Sequence, residues 1–177
     1  MGSQKEGDVL VNIGKDGVGR IKLIGEIRYD SSAKGFVEFV NTKLIDESVA
    51  EVIIDAHACD YIDSANIGIL AQIAMMQENK GAKKTKIFYS EDSKVYGDVE
   101  NMNINSLFDV VFCGGGKCAY DWCDSGDYEK LPKHELSQTE LAEIMFDTHE
   151  TLYNMGEKNK AKFESVMEYL KKSRRQK

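Results

Sequence analysis

Residues 52–70 read VIIDAHACDYIDSANIGIL, and the fold turns on how this stretch divides. Val52-Ile53-Ile54-Asp55 is a compact β-branched run, suited to a central strand covered on both faces. A loop follows at 56–63 (AHACDYID) and leads into a helix. There Ile67, Leu70, Ala71, Ala74 and Met75 fall at i, i+3, i+4, i+7 and i+8, which makes one apolar face. Ser64 stands where a hydroxyl caps the free N–H groups of the first turn, and Asp63 is favoured by the positive helix end. Asn79-Lys80-Gly81 marks the expected terminus.

Upstream, VLVNIG (9–14) and VGRIKLI (18–24) flank Lys15-Asp16-Gly17, a hairpin signal, and Gly25-Glu26-Ile27 ends the second strand. A helix is expected from Ser31 or Ser32, capped by those serines, with Phe36, Val37, Val40, Leu44 and Ile45 at near-helical spacing. Downstream, KTKIFYS (84–90) reads as a strand, 93–104 as a helix, 105–108 as a turn and Val110-Val111-Phe112 as a closing strand. The order ββαβαβα argues a mixed sheet with helices packed on it.

Past Phe112 the composition changes. Residues 113–135 hold three cysteines, three consecutive glycines and the single proline, Pro132, as a linker would. Ser137 and Glu140 then form a capping box. Leu141, Ile144, Met145, Thr148, Leu152 and Tyr153 make one stripe, and Phe163, Val166, Met167 and Leu170 a second. Two amphipathic helices joined near Gly156 fit this pattern, as does one long helix. Such stripes must be covered by each other, by the core or by a second copy, and a homodimer through these helices is the preferred cover.

The 177 residues are 42% hydrophobic and 30% charged, a globular composition, with 23 Lys+Arg against 30 Asp+Glu for a net charge of −7. An acidic surface of this kind argues against nucleic acid as the main partner. No run reaches the length of a membrane span, and MGSQKEGDVL lacks a signal peptide's apolar core. A cytoplasmic location is therefore expected, with Cys59, Cys113, Cys118 and Cys123 as reduced thiols.

The strand–loop–helix stretch resembles the core motif of STAS domains, above all bacterial anti-sigma factor antagonists. Those show an apolar strand ending in Asp, an apolar-aromatic loop and then D-S-[ST]-G-[LI]-G opening a helix. The counterparts here are VIID, Tyr61-Ile62 and Asp63-Ser64-Ala65-Asn66-Ile67-Gly68. GEI at 25–27 resembles the family's G-E-[LI]-D element, with Arg28 where that element carries its Asp. The resemblance covers roughly residues 8–115. It implies a STAS-like α/β fold at 8–115, and beyond it lie a linker at 116–136 and an added α-helical extension at 137–173.

The resemblance further implies a non-enzymatic signalling module of a partner-switching pathway. Its partner would be an anti-sigma factor or related serine kinase-type regulator that supplies ATP and phosphorylates Ser64. Asp63, Ser64, Ala65, Asn66, Tyr61 and Arg28 would contribute to partner binding, with docking centred on 56–66 and the exposed face of the following helix. Arg28 would either alter kinase recognition or pair with a phosphate on Ser64. The alternative is a constitutive STAS scaffold, never phosphorylated, that oligomerises through the C-terminal helices.

Nothing in the sequence asks for a metal, a cofactor or a catalytic group. Cys113, Cys118 and Cys123 are spaced C-x₄-C-x₄-C, wider than the usual zinc pairs, with Cys59 or His134 as the available fourth ligands. GGGK at 114–117 lacks the flanking residues of a phosphate loop. His57, His134 and His149 are scattered, with no matching nucleophile beside them in sequence.

Overall fold

The Asp16-Gly17 hairpin joins strands β1 (Asp8–Ile13) and β2 (Val18–Ile27), which pair antiparallel from Asp8↔Ile24 to Ile13↔Gly19. The structure is a computed structural model and describes residues 6–46, 48–114 and 127–175. Helix α1 (Tyr29–Phe39) continues as a π-helical turn, Val40–Leu44. Then come β3 (Glu51–Ile62), α2 (Ser64–Asn79), β4 (Lys86–Ser90), α3 (Lys94–Asn101), a 3-10 turn (Asn105–Leu107) and β5 (Asp109–Cys113). A two-residue strand, β6 (Glu129–Lys130), precedes α4 (Gln138–Tyr153) and α5 (Glu157–Arg175).

The sheet order is β5-β4-β3-β2-β1-β6. The four strands from β2 to β5 run parallel, while β1 is antiparallel to both of its neighbours. Alternate residues Val9, Val11, Ile21, Leu23, Val52, Ile54 and Ile87 enter one buried cluster with Phe36 of α1 and Ile67 and Leu70 of α2. The opposite face carries a small cluster of Ile53, Phe88 and Cys113.

Four local expectations are corrected. Residues 56–62 continue β3 rather than forming a loop, because β2 is long enough to pair with them through Ile27↔Ile62. The pairing shifts register twice, the second time at Gly25, whose φ of 71° lies where a side chain is disfavoured. Helix α1 begins at Tyr29, ahead of Ser31 and Ser32, because the Asp63 carboxylate, outside the helix, accepts the Tyr29 amide. Ser32 instead donates its hydroxyl back to the Arg28 carbonyl at 2.8 Å. Finally, the wider π-helical turn keeps Leu44 buried but turns Ile45 outward to 54% exposure.

The linker stretch is partly structural. Glu129 and Lys130 pair with Val11 and Leu10, Leu131 is buried, and the Pro132 carbonyl lies over Gly35 of α1. Cys113 is disulfide-bonded, which corrects the expectation of four reduced thiols, while Cys59 is free and buried. Cys118, Cys123 and GGGK beyond Gly114 lie outside the described residues.

The C-terminal stripes form two helices, with the break at Gly156 and the capping box of Ser137 and Glu140 in place. Helix α4 lies on α2, and α5 lies on α4. Leu152 and Phe163 join the same cluster as the sheet, so much of the apolar surface is covered from within the chain.

Candidate functional site

Strand β3 ends at Ile62 and α2 starts at Ser64, which leaves Asp63 at the junction as N-cap, the position expected for Ser64. Its Oδ1 accepts the Asn66 backbone amide at 3.0 Å and the Asn66 side-chain amide at 3.0 Å. Its Oδ2 accepts the Tyr29 amide, the first of α1, at 2.6 Å. One carboxylate therefore closes the first turns of two helices, satisfying donors that would otherwise be orphaned. Parallel pairing of β2 with β3 brings the two helix starts to one end of the sheet.

Ser64 is the first residue of α2 and is half-buried. Its Oγ lies 3.0 Å from Nε2 of His149 on α4, 85 residues away in sequence. Nδ1 of the same ring lies 2.7 Å from the Met145 carbonyl, which can only accept, so Nδ1 carries the proton and Nε2 accepts from the Ser64 hydroxyl. His149 is 3% exposed. Burial pushes its pKa below the ordinary histidine value, with the Met145 carbonyl and the Asp63 carboxylate opposing. The ring is thus held neutral. The ring of Phe163 of α5 meets it edge-on at 5.8 Å.

The expected docking residues divide into two sets. Ala65 and Asn66 are buried, so neither offers a contact surface. Asn66 has instead the internal task of bonding Asp63, with Ser32 Oγ 3.3 Å from its Oδ1. Tyr61, in contrast, is exposed. Arg28 lies with its guanidinium 4.6 Å from the Tyr61 ring centre, and its Nε and Nη2 donate to Glu26 Oε2 at 3.0 and 2.8 Å. Glu26 and Tyr61 are register partners, so Arg28, Tyr61 and Glu26 form one group at the strand ends, with exposed Tyr29 following Arg28 in the chain.

The exposed face expected for α2 is taken by α4. Gly68 sits against Thr148, and a Cβ built there would lie 2.7 Å from both Thr148 Cβ and the Thr148 carbonyl oxygen, so only glycine permits this approach. Gln72 donates to Thr151 Oγ1 at 3.1 Å. Lys34 of α1 pairs with Glu140 of α4 at 2.6 Å. Sequence reasoning assigned neither His149 nor Thr148 a role at the site. The available signal was a polar Thr148-His149 pair on an apolar stripe, close after Met145 and close before Leu152.

Other polar candidates take separate places. His57 pairs with Asp55 on β3, and His134 lies 3.9 Å from Glu38. The Cys59 thiol is pushed up to about 12 by burial, which removes it as a nucleophile near neutral pH. No group of three or more His, Cys, Asp or Glu is placed to hold a metal ion among the described residues. None of their helices is long and apolar enough to cross a membrane.

A hairpin followed by three helix–strand units, with Asp63-Ser64 where the central strand meets its helix, is the arrangement expected at 8–115. The fold is STAS-like. No family model matches the sequence, and no curated protein does. Among solved structures the chain is similar to the Bacillus cell fate determinant SpoIIAA in its phosphorylated form. The two are 12% identical with a TM-score of 0.46, over 58% of this chain and 90% of that one.

Proposed function

We propose that the chain is a binding module of a partner-switching pathway, controlled by phosphorylation at Ser64. The observation that carries this reading is the position of Ser64 on the first turn of α2, directly after the Asp63 cap. A phosphate there adds about −1.5 to −2 charge at a point where a docked protein surface would meet it. The partner is an anti-sigma factor or related serine kinase-type regulator that brings the nucleotide and the catalytic groups. Tyr61 and Arg28 offer it an exposed aromatic–guanidinium pair, the composition that dominates many interface energies. Ser64, with Asp63 behind it, supplies the switch. The setting is the cytoplasm, where such a kinase has its nucleotide.

The test is peptide mass spectrometry of the protein isolated from its own cells, beside a Ser64→Ala chain. Phosphate on the Ser64 peptide, absent from Ser64→Ala, supports the reading. A Ser64 that stays unmodified in growing, starved and stressed cells overturns it.

A second reading has its own observation. The Ser64 hydroxyl is already engaged by His149, as it would be in a constitutive STAS scaffold that is never modified. Such a scaffold would oligomerise through α4 and α5, where Val166 and Tyr169 are 37% and 69% exposed. Light scattering separates the two: a stable homodimer with unmodified Ser64 favours the scaffold.

A further inference from the structure

Helix α4 does more than cover apolar surface, because its His149 engages one hydroxyl, that of half-buried Ser64. Its contacts with α2 run from Ser64–His149 through Gly68–Thr148 to Gln72–Thr151, along one face of α2. Behind it, α5 is tied down by Asn159, itself buried. Its Nδ2 donates to the carbonyls of Leu152 on α4 and Met102 after α3, both at 2.8 Å, and its Oδ1 accepts from Asn103 at 2.8 Å. Lys34–Glu140 anchors the other end of α4 to α1. The hairpin is thus latched at both ends, over the residue on which the proposed switch depends.

We infer that docking of the α4–α5 hairpin and a phosphate on Ser64 exclude each other, so the hairpin is a cover in cis that closes the switch. This deepens, and rests on, the reading of Ser64 as the phosphorylated residue. A phosphoryl group replaces the hydroxyl proton, so Oγ loses the donor that His149 accepts, and Nε2 faces acceptor oxygens instead. Three added oxygens must also fit where His149 Nε2 already stands 3.0 Å from Oγ. Helix α4 stands directly on α2 beside this point, its backbone at Thr148 too close to Gly68 for a methyl group, so added volume at Ser64 meets packed atoms. The Asp63 carboxylate in the same turn adds like charge. The covered state ties up the hydroxyl that a kinase would modify, and the phosphorylated state releases the hairpin and bares the face of α2 around Gly68 and Gln72.

The test needs no kinase, so it can fail while the functional reading stands, and the reverse. Phosphoserine is placed at position 64 of the full chain during synthesis, by an encoded suppressor tRNA, and amide hydrogen exchange is followed by mass spectrometry. Exchange across 141–153 should rise by at least about tenfold over the unmodified chain, while β2 and β3 keep their protection. Unchanged exchange in α4, the phosphate being held against a protonated His149, overturns the proposal. Should the modified chain fail to fold, Ser64→Cys with and without Gly68→Ala gives a second measure. Alanine favours α2 as a helix but cannot meet Thr148, so alkylation of residue 64 by iodoacetamide should accelerate by about tenfold or more. Equal alkylation rates overturn the proposal.

Discussion

Asp63 and Tyr29 are 34 residues apart, yet the Asp63 carboxylate takes the first amide of the helix that Tyr29 begins while capping its own helix with the other oxygen. Removing this group should loosen both helix starts. A single N-cap is worth about 0.5–2 kcal/mol, so Asp63→Ala should cost about 2 kcal/mol by urea unfolding. Asp63→Asn, which keeps one acceptor oxygen, should cost less. Equal stability of all three chains would remove the double cap as a determinant of the fold.

Leu152 is fully buried and shares a cluster with the sheet although it belongs to α4. Leu152→Ala should therefore destabilise the whole chain by about 2–5 kcal/mol. Calorimetry should show a single transition moved to lower temperature. An unmoved main transition preceded by a small early one would make the hairpin a separately melting unit.

Acid should weaken the chain in two steps. Burial holds His149 below the ordinary value of 6.5, so the folded chain binds fewer protons there than the unfolded one. That contribution is complete above about pH 6.5 and declines as the pH falls below it. The Lys34 and Ser137 contacts hold Glu140 at about 2 against an ordinary 4.5, so its contribution is complete above about 4.5 and is lost as the pH falls towards 2. Urea midpoints against pH should show both steps. His149→Phe should lack the first and Glu140→Gln the second.

Arg28 stands at the surface between Glu26 and Tyr61. Arg28→Asp should leave the unfolding midpoint nearly unchanged, because the pair it breaks is open to solvent. If Ser64 is the phosphorylated residue as proposed, the substitution should raise the rate of phosphate incorporation there by about tenfold, through altered charge at the proposed docking surface. Phosphate-affinity electrophoresis over time reads this directly, and an unaltered rate takes Arg28 out of recognition.

What the sequence made legible was local. Asp16-Gly17 announced the hairpin, and the Ser137–Glu140 box announced α4, because each signal acts within a few residues. The Asp63-Ser64 junction was legible too, but the roles of its residues were reversed. A serine and an aspartate can both cap, and only the position of Tyr29 decided which did. Residues 56–62 looked like a loop because their alternation is broken by His57, Asp60 and Tyr61, and pairing with β2 overrode that pattern. The contact of Ser64 with His149 had no local trace, since it depends on how a helix 85 residues later is laid down.

Strand β6 is only two residues long, yet it lies at the outer edge of the sheet. With Leu131 donating to Val9 at 2.9 Å and Asn12 donating to Asp127 at 2.9 Å, it occupies the side of β1 that would otherwise present bare amides and carbonyls. Lys130 and Lys133, both paired with Asp8, place cations along the same border. An unpaired border recruits strands from other molecules, and a short, charged one resists them. A crowded suspension of this chain should accordingly resist growth into fibres from that side, and Lys130→Val with Lys133→Val should surrender that resistance first.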